Sequence, residues 1–439
     1  MTSAAMDVVV RADRAVVDGH IRSAAVAVAD GVIRAIGPVD ANYPTAEETR
    51  LATSTVLLPG LIDTHVHINE PGTDWEGFAT ATAAAAAGGI TTLVDMPLDC
   101  DPVTTTAAAL NAKRRVARDN CRVQVGFWAG VIPDNIDALD ELAAAGALGY
   151  KCFLSDSGNP NFPHLTAAEF RRAMTRVADI GAVLLVHAES DHVVAGSPSP
   201  RGRRYSSFLS SRPDAAEEDA VALVLDVAAD TGSRVHVVHV SSARVLPMLA
   251  AAKQSGVPVT AETCPHYLTF AAEGILDGAT HFAACPPIRG DDNRGRLWDG
   301  LRDGTLDMIV SDHSPCAPEL KAGGDFGRAL GGISSLQVGL RAVWTQARRR
   351  GFGVVDLCRW MAERPAALAG LTDRGRIALG QRADLCVFDP DTERVVRAEE
   401  LRHRHAVTPY DGVTLRGSVA ATWLGGRRIY DRDRVGLPA

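Results

Sequence analysis

The residues best placed to do chemistry begin with the stretch Pro59-Gly60-Leu61-Ile62-Asp63-Thr64-His65-Val66-His67. It reads as a buried strand closing on two histidines one residue apart. Strand side chains alternate faces with period two, so His65 and His67 share a face. Two adjacent imidazoles make a seat for a divalent metal. A lysine, Lys151, sits inside the otherwise apolar run Gly149–Leu154, and His187, His239 and Asp312 close three further apolar runs. Burial lowers a lysine pKa and leaves a neutral amine. Such an amine can take up CO2 as a carbamate, whose two oxygens could bridge two cations. Other readings stand beside these. His187 and His239 could equally be hydrogen-bonded core histidines, Lys151 could snorkel to solvent, and Asp312 could cap a helix. His236 competes with His239. Their odd spacing puts them on opposite faces of one strand, so only one is expected to point inward, and His239 lies nearer the strand end.

These side chains need a frame. Eight strand candidates can be counted: 61–67, 90–96, 122–131, 149–154, 183–187, 235–240, 259–262 and 308–312. Most are Val, Ile and Leu runs, as strands buried on both faces should be. Helical patterns such as 166–179, 215–229 and 242–254 lie between them. Repeated β–α alternation implies a parallel sheet, and eight repeats favour a closed (β/α)8 barrel. Barrel sites open at the C-terminal strand ends, where all the candidate residues fall. Long Gly-, Pro- and Ser-rich connections follow there too (99–106, 190–212, 263–302 and 313–332), as pocket walls would. Short strands broken by glycines precede position 58, and similar texture returns after 374. The expected organisation is therefore a barrel over 58–374 and a small β-sandwich built from 1–57 and 375–439.

Composition narrows the class. The 439 residues carry a net charge of −8, the pI is about 5.9 and mean hydropathy is near zero. No basic tract suits nucleic acid, and no apolar run is long enough for a membrane span. The eight cysteines are scattered without a C-x-x-C pair, which suits reduced thiols. The first residues lack the apolar core of a signal peptide. A cytoplasmic protein is expected.

The set His65-x-His67, Lys151, His187, His239 and Asp312 resembles the binuclear centre of the cyclic amidases in the amidohydrolase superfamily: dihydroorotases, dihydropyrimidinases (hydantoinases) and allantoinases. The likeness covers nearly the whole chain, including Gly380-Gln381-Arg382-Ala383-Asp384-Leu385 on the small domain. Within the group, 67–72, 75–78, 95–98, 151–154 and 311–316 look most like allantoinases. Dihydroorotases usually carry Arg and Asn where this chain has Asn69 and Leu98, and those groups hold a substrate carboxylate. Dihydropyrimidinases usually carry a Tyr soon after the lysine strand, where Ser155-Asp156-Ser157-Gly158 stands here. One departure from the allantoinases is that only Thr73-Asp74 separate Gly72 from Trp75, where an extra residue, often Arg, is common.

The resemblance implies that His65, His67 and Asp312 hold one metal, that His187 and His239 hold a second, and that carbamylated Lys151 bridges them. Zinc is the first choice, with manganese, cobalt, nickel or iron also accepted by such donors. Asp312 would be the catalytic proton carrier. Asn69, Cys285, Ser314 and Gly332 are the candidate substrate contacts, and His313 is a candidate supporting residue. The implied partners are a small ureide substrate and further copies of the chain, as a homotetramer or dimer. The alternatives are another cyclic amidase, or a non-catalytic scaffold on the same fold.

Overall fold

The computed structural model describes residues 6–433, so the outermost ends of the expected terminal segments, 1–5 and 434–439, lie outside the described residues. Strands β1 (Met6–Val17), β2 (His20–Ala29), β3 (Val32–Gly37), β4 (Thr45–Arg50) and β5 (Val56–Pro59) open the chain. The parallel strands follow: β6 (Leu61–Val66), β7 (Ile90–Asp95), β8 (Gln124–Phe127), β9 (Ala129–Gly130), β10 (Tyr150–Phe153), β11 (Val183–His187), β12 (Arg234–Val237), β13 (Val259–Thr263) and β14 (Met308–Ile309). Strands β15 (Leu385–Val395), β16 (Thr414–Leu424) and β17 (Arg427–Asp431) end it.

The parallel strands pair in chain order, β6-β7-β8 and β9 through β14. Trp128 alone separates β8 from β9, and its amide donates to Asp95 O at 3.0 Å, so β8 and β9 act as one kinked strand. The circle closes where Val66 bridges His313 in parallel and His67 N donates to His313 O at 2.8 Å. This is the eight-stranded barrel that the alternation predicts.

Helices pack outside it. The helix Ala167–Ile180 shows why they form. Thr166 and Glu169 make a reciprocal capping box at its start, and Gly181, at φ 72°, ends it in the left-handed region. Its buried residues Phe170, Ala173, Met174 and Val177 recur at helical spacing. Burying Phe, Met or Val side chains of this kind stabilises by about 1.5–3 kcal/mol each.

The outer strands form a separate sheet in the order β17-β16-β15-β5-β1-β2-β3, with β4 paired to β1. The two ends of the sheet share one core, in which Val8, Val10, Val26 and Val28 pack with Leu385, Val387 and Trp423. N- and C-terminal segments thus meet in one small sheet module. Strand β5 belongs to that sheet and leads through Gly60 alone into β6. A Cβ at Gly60 would lie 2.3 Å from Thr91 Oγ1, which is why the junction takes glycine.

Candidate metal centre

All six predicted donors, His65, His67, Lys151, His187, His239 and Asp312, face one cavity of about 530 Å³ at the C-terminal mouth of the barrel. Each is at least nine-tenths buried. Their rings form a chain, with centroids 5.4 Å apart for His67–His65, 5.4 Å for His65–His239 and 4.6 Å for His239–His187. The first cluster places Asp312 Oδ1 3.2 Å from His65 Nε2 and 3.4 Å from His67 Nε2. In the second, His187 Nδ1 and His239 Nε2 stand 2.9 Å apart. Two nitrogens on one tetrahedral ion with bonds of about 2.0 Å are about 3.3 Å apart, so the rings need part by only about 0.4 Å to share a cation.

Lys151 lies between the clusters. Period two along β10 puts it on the same face as Phe153, its Nζ is 4.8 Å from that ring, and Phe153 stacks on His187. Its Nζ is buried without a hydrogen-bond partner, as are His67 Nδ1 and His239 Nδ1. Buried polar atoms are nearly always paired. The orphaned Lys151 amine between the two clusters therefore fits a bound group, whereas the orphaned Nδ1 atoms of His67 and His239 lie across the ring from the Nε2 atoms that join the clusters. Burial lowers Lys151 to about 8, lowers His65 and His187, and takes His239 well below the usual imidazole value. Neutral imidazoles keep a lone pair for a cation. Burial would raise Asp312, but His65 and His67 hold it below the ordinary carboxylate range.

Two buried carboxylates fix which ring nitrogen faces the cavity. Glu262, in β13, accepts from His65 Nδ1 at 2.5 Å and from His236 Nε2 at 2.9 Å, and His236 Nδ1 meets Thr260 Oγ1 at 2.7 Å. Glu189 accepts from His187 Nε2 at 2.7 Å and pairs with Arg212. Burial would raise both carboxyls, yet the facing histidines, and Arg212 for Glu189, hold each near about 2. Asp63 accepts the Ser311 amide and is raised to about 7 by burial. Glu189 stands two residues from His187, on the same face by period two. Glu262 is the next-to-last residue of the seventh strand, and its polar type in a buried run was the available signal.

One expectation is corrected. His236 and His239 do not exclude each other. Strand β12 stops at Val237, and His239 takes a left-handed φ of 39°, which resets the alternation. His236 turns to Glu262 while His239 reaches the cavity, and both are buried.

Of the candidate substrate contacts, Cys285, Ser314 and Gly332 line the cavity and Asn69 does not. Asn69 also has a left-handed φ, 61°, and its amide donates to Pro315 O at 3.3 Å. His313 turns its Nε2 to Glu76 at 3.2 Å, and its Nδ1 accepts from the Ser335 amide, so it braces the wall from behind. The eight cysteines are free thiols. Among the described residues, no helix is long and apolar enough to cross a membrane.

Comparison with known proteins agrees with this geometry. The model of the amidohydrolase family matches residues 56–429. The allantoinase of Streptomyces avermitilis is 51% identical over 425 residues, 97% of this chain and 95% of that one. The allantoinase of Saccharomyces cerevisiae is 44% identical over 383 residues, 85% and 82% of the two chains. Among solved structures, the L-hydantoinase (dihydropyrimidinase) from Arthrobacter aurescens superimposes with a TM-score of 0.92 at 27% identity, covering 98% of both chains. The dihydropyrimidinase from Brevibacillus agri gives 0.86 at 27%, covering 96% and 94%.

Proposed function

Because the chain belongs to the amidohydrolase family, we propose that it hydrolyses a cyclic amide, opening the hydantoin ring of allantoin to give allantoate. The observation that carries the reaction class is the convergence of six buried donors on one cavity, with Lys151 unpartnered between two histidine clusters. The choice of ring is supported by relatives named allantoinases over nearly the full chain.

His65, His67 and Asp312 would hold one divalent ion, and His187 and His239 the other. The neutral Lys151 amine would add to CO2, losing a proton, and the carbamate would join the two seats. Zinc suits the nitrogen and carboxylate donors, as do manganese, cobalt, nickel and iron. A bound pair of ions would supply the Lewis acidity that lowers the pKa of water and polarises a ring carbonyl. The side chains do the rest. Asp312, held as a carboxylate by His65 and His67, accepts the proton of the attacking water and returns it to the ring nitrogen as the C–N bond breaks. Glu262 and Glu189 keep the imidazole lone pairs of His65 and His187 turned inward. Cys285, Ser314 and Gly332 give the ring a wall beside Asp312, and Asn69 acts behind it by holding the Pro315 carbonyl.

We assign this chemistry to the barrel, 58–374, and a supporting role to the sheet module of 1–57 and 375–439. The eight free thiols support a cytoplasmic setting, and a dimer or tetramer is the proposed assembly. The test offers purified protein allantoin, dihydrouracil and dihydroorotate, with divalent metal counted in the same sample. Turnover of allantoin with about two ions per chain is expected. Good turnover of another ring without allantoin would sink the choice of substrate, and absence of tightly bound metal would sink the reaction class.

A further inference from the structure

A second group of donors lies against Asp312. Strand β13 ends at Thr263. Cys264 follows it and precedes the short helix Pro265–Thr269, so Cys264 and His266 stand two residues apart at the barrel mouth. The Cys264 thiol, a His266 ring nitrogen and an Asp312 carboxylate oxygen all lie within 4.8 Å of one another. Cys264 and His266 are both fully buried. Neither His266 ring nitrogen has a hydrogen-bond partner. An imidazole sealed from water with both nitrogens unused is costly. The catalytic reading leaves His266 and Cys264 without a task.

We propose that Cys264, His266 and Asp312 form a separate seat for a thiophilic divalent cation, cadmium or zinc in excess, and that an ion seated there inhibits the enzyme by capturing Asp312. The donor set is one sulfur, one imidazole nitrogen and one carboxylate oxygen, softer than either histidine cluster. Metal bonds of about 2.0–2.3 Å bring such atoms onto one ion after small side-chain shifts. Burial above all, and then the negative charges of Asp312, Glu262 and Asp63, keep the Cys264 thiol protonated. That same negative field favours a cation. As the ion binds, the thiol releases its proton to water and the sulfur becomes a ligand. Asp312 lines the main cavity, which provides the entry path. A cation on its carboxylate opposes the proton that Asp312 must accept. This inhibitory part rests on the proton-carrying role proposed above, whereas the seat itself rests on geometry alone.

The experiment titrates the metal-loaded protein with cadmium. It reads the ultraviolet sulfur-to-cadmium charge-transfer band, the resident metal content and the hydrolysis rate together. Each variant's rate is expressed relative to its own rate without cadmium. Cys285 is the control, because its thiol lines the same cavity. The expected result is a band that saturates near one cadmium per chain, persists in Cys285→Ser and disappears in Cys264→Ser. Resident metal should stay bound. Inhibition should weaken about tenfold or more in Cys264→Ser, since the thiolate is the softest donor of the three. Cys264→Ala replaces Cys264→Ser if the latter does not fold. The seat is refuted by no band, by a band that survives loss of Cys264, or by resident metal leaving in step with it. Unchanged inhibition after the band is lost refutes the capture of Asp312. The band and the metal count need no substrate, so they report on the seat even where allantoin is not hydrolysed.

Discussion

Replacing Glu262 by Gln tests whether this carboxylate controls the metal-facing nitrogen of His65. In the native protein both oxygens of Glu262 accept: one from His65 Nδ1 at 2.5 Å and also from the His239 amide at 3.3 Å, the other from His236 Nε2 at 2.9 Å. His65 Nε2 is thereby left as a lone pair 3.2 Å from Asp312. An amide keeps shape but offers one acceptor and one donor. If its oxygen stays on His65, its NH2 must face His236. His236 has an escape, because Thr260 Oγ1 lies 2.7 Å from its Nδ1. It can move its proton to Nδ1, donate to Thr260, and accept from the amide at Nε2. Losing a supporting carboxylate costs about 10–100-fold in metal affinity. With that escape, Glu262→Gln should fall near the low end, about tenfold or about 1.4 kcal/mol. Thr260→Val closes the escape and alone should do little. The double variant should then approach the high end, about 2.8 kcal/mol, a coupling of about 1.4 kcal/mol in the cycle. Competition with a chelator measures the affinity, and kcat and KM at saturating metal show whether substrate binding is spared. Native metal affinity in Glu262→Gln, or strictly additive variants, would refute the tautomer argument.

Three further outcomes follow from the same geometry. Metal-free protein freed of carbonate should regain activity only when bicarbonate and a divalent ion are both supplied; because burial lowers the Lys151 amine to about 8, the neutral form and the reactivation rate should rise with pH through about 8 and then level off, and reactivation without any CO2 source would exclude the carbamate. Gly332→Ala places a Cβ 2.4 Å from Ser314 O at a φ of 137°, so a loss of about 1–3 kcal/mol and a raised KM are expected, read by thermal melting and steady-state kinetics. Arg212→Met strands the buried Glu189 carboxylate and should cost about 3–5 kcal/mol near neutral pH; Arg212 and His187 depress Glu189 from 4.5 to about 2, so this contribution is present in full above about 4.5 and is lost as pH falls through about 2, and the stability gap between the two proteins, followed by denaturant melts, should narrow on acidification.

The six donors were legible because each closes or occupies an apolar run, and a polar side chain in a buried strand needs a reason. The alternation also sufficed for the barrel, down to eight strands. It failed just past the strand ends. Asn69, Asp99, His239 and Asp312 all have left-handed backbones, and period two stops where the backbone turns. That is why Asn69, a candidate substrate contact, turns instead to Pro315, and why His236 and His239 look exclusive yet serve one network. The partner of Glu262 was opaque for another reason. That partner, His65, lies 197 residues away, and one sequence holds no record of the contact. Strand ends therefore bring the donors together, while long-range carboxylates select the nitrogen each imidazole presents. The first property is local and readable, and the second belongs to the closed barrel. On this argument, moving the Glu262 carboxylate should change metal affinity without moving any strand.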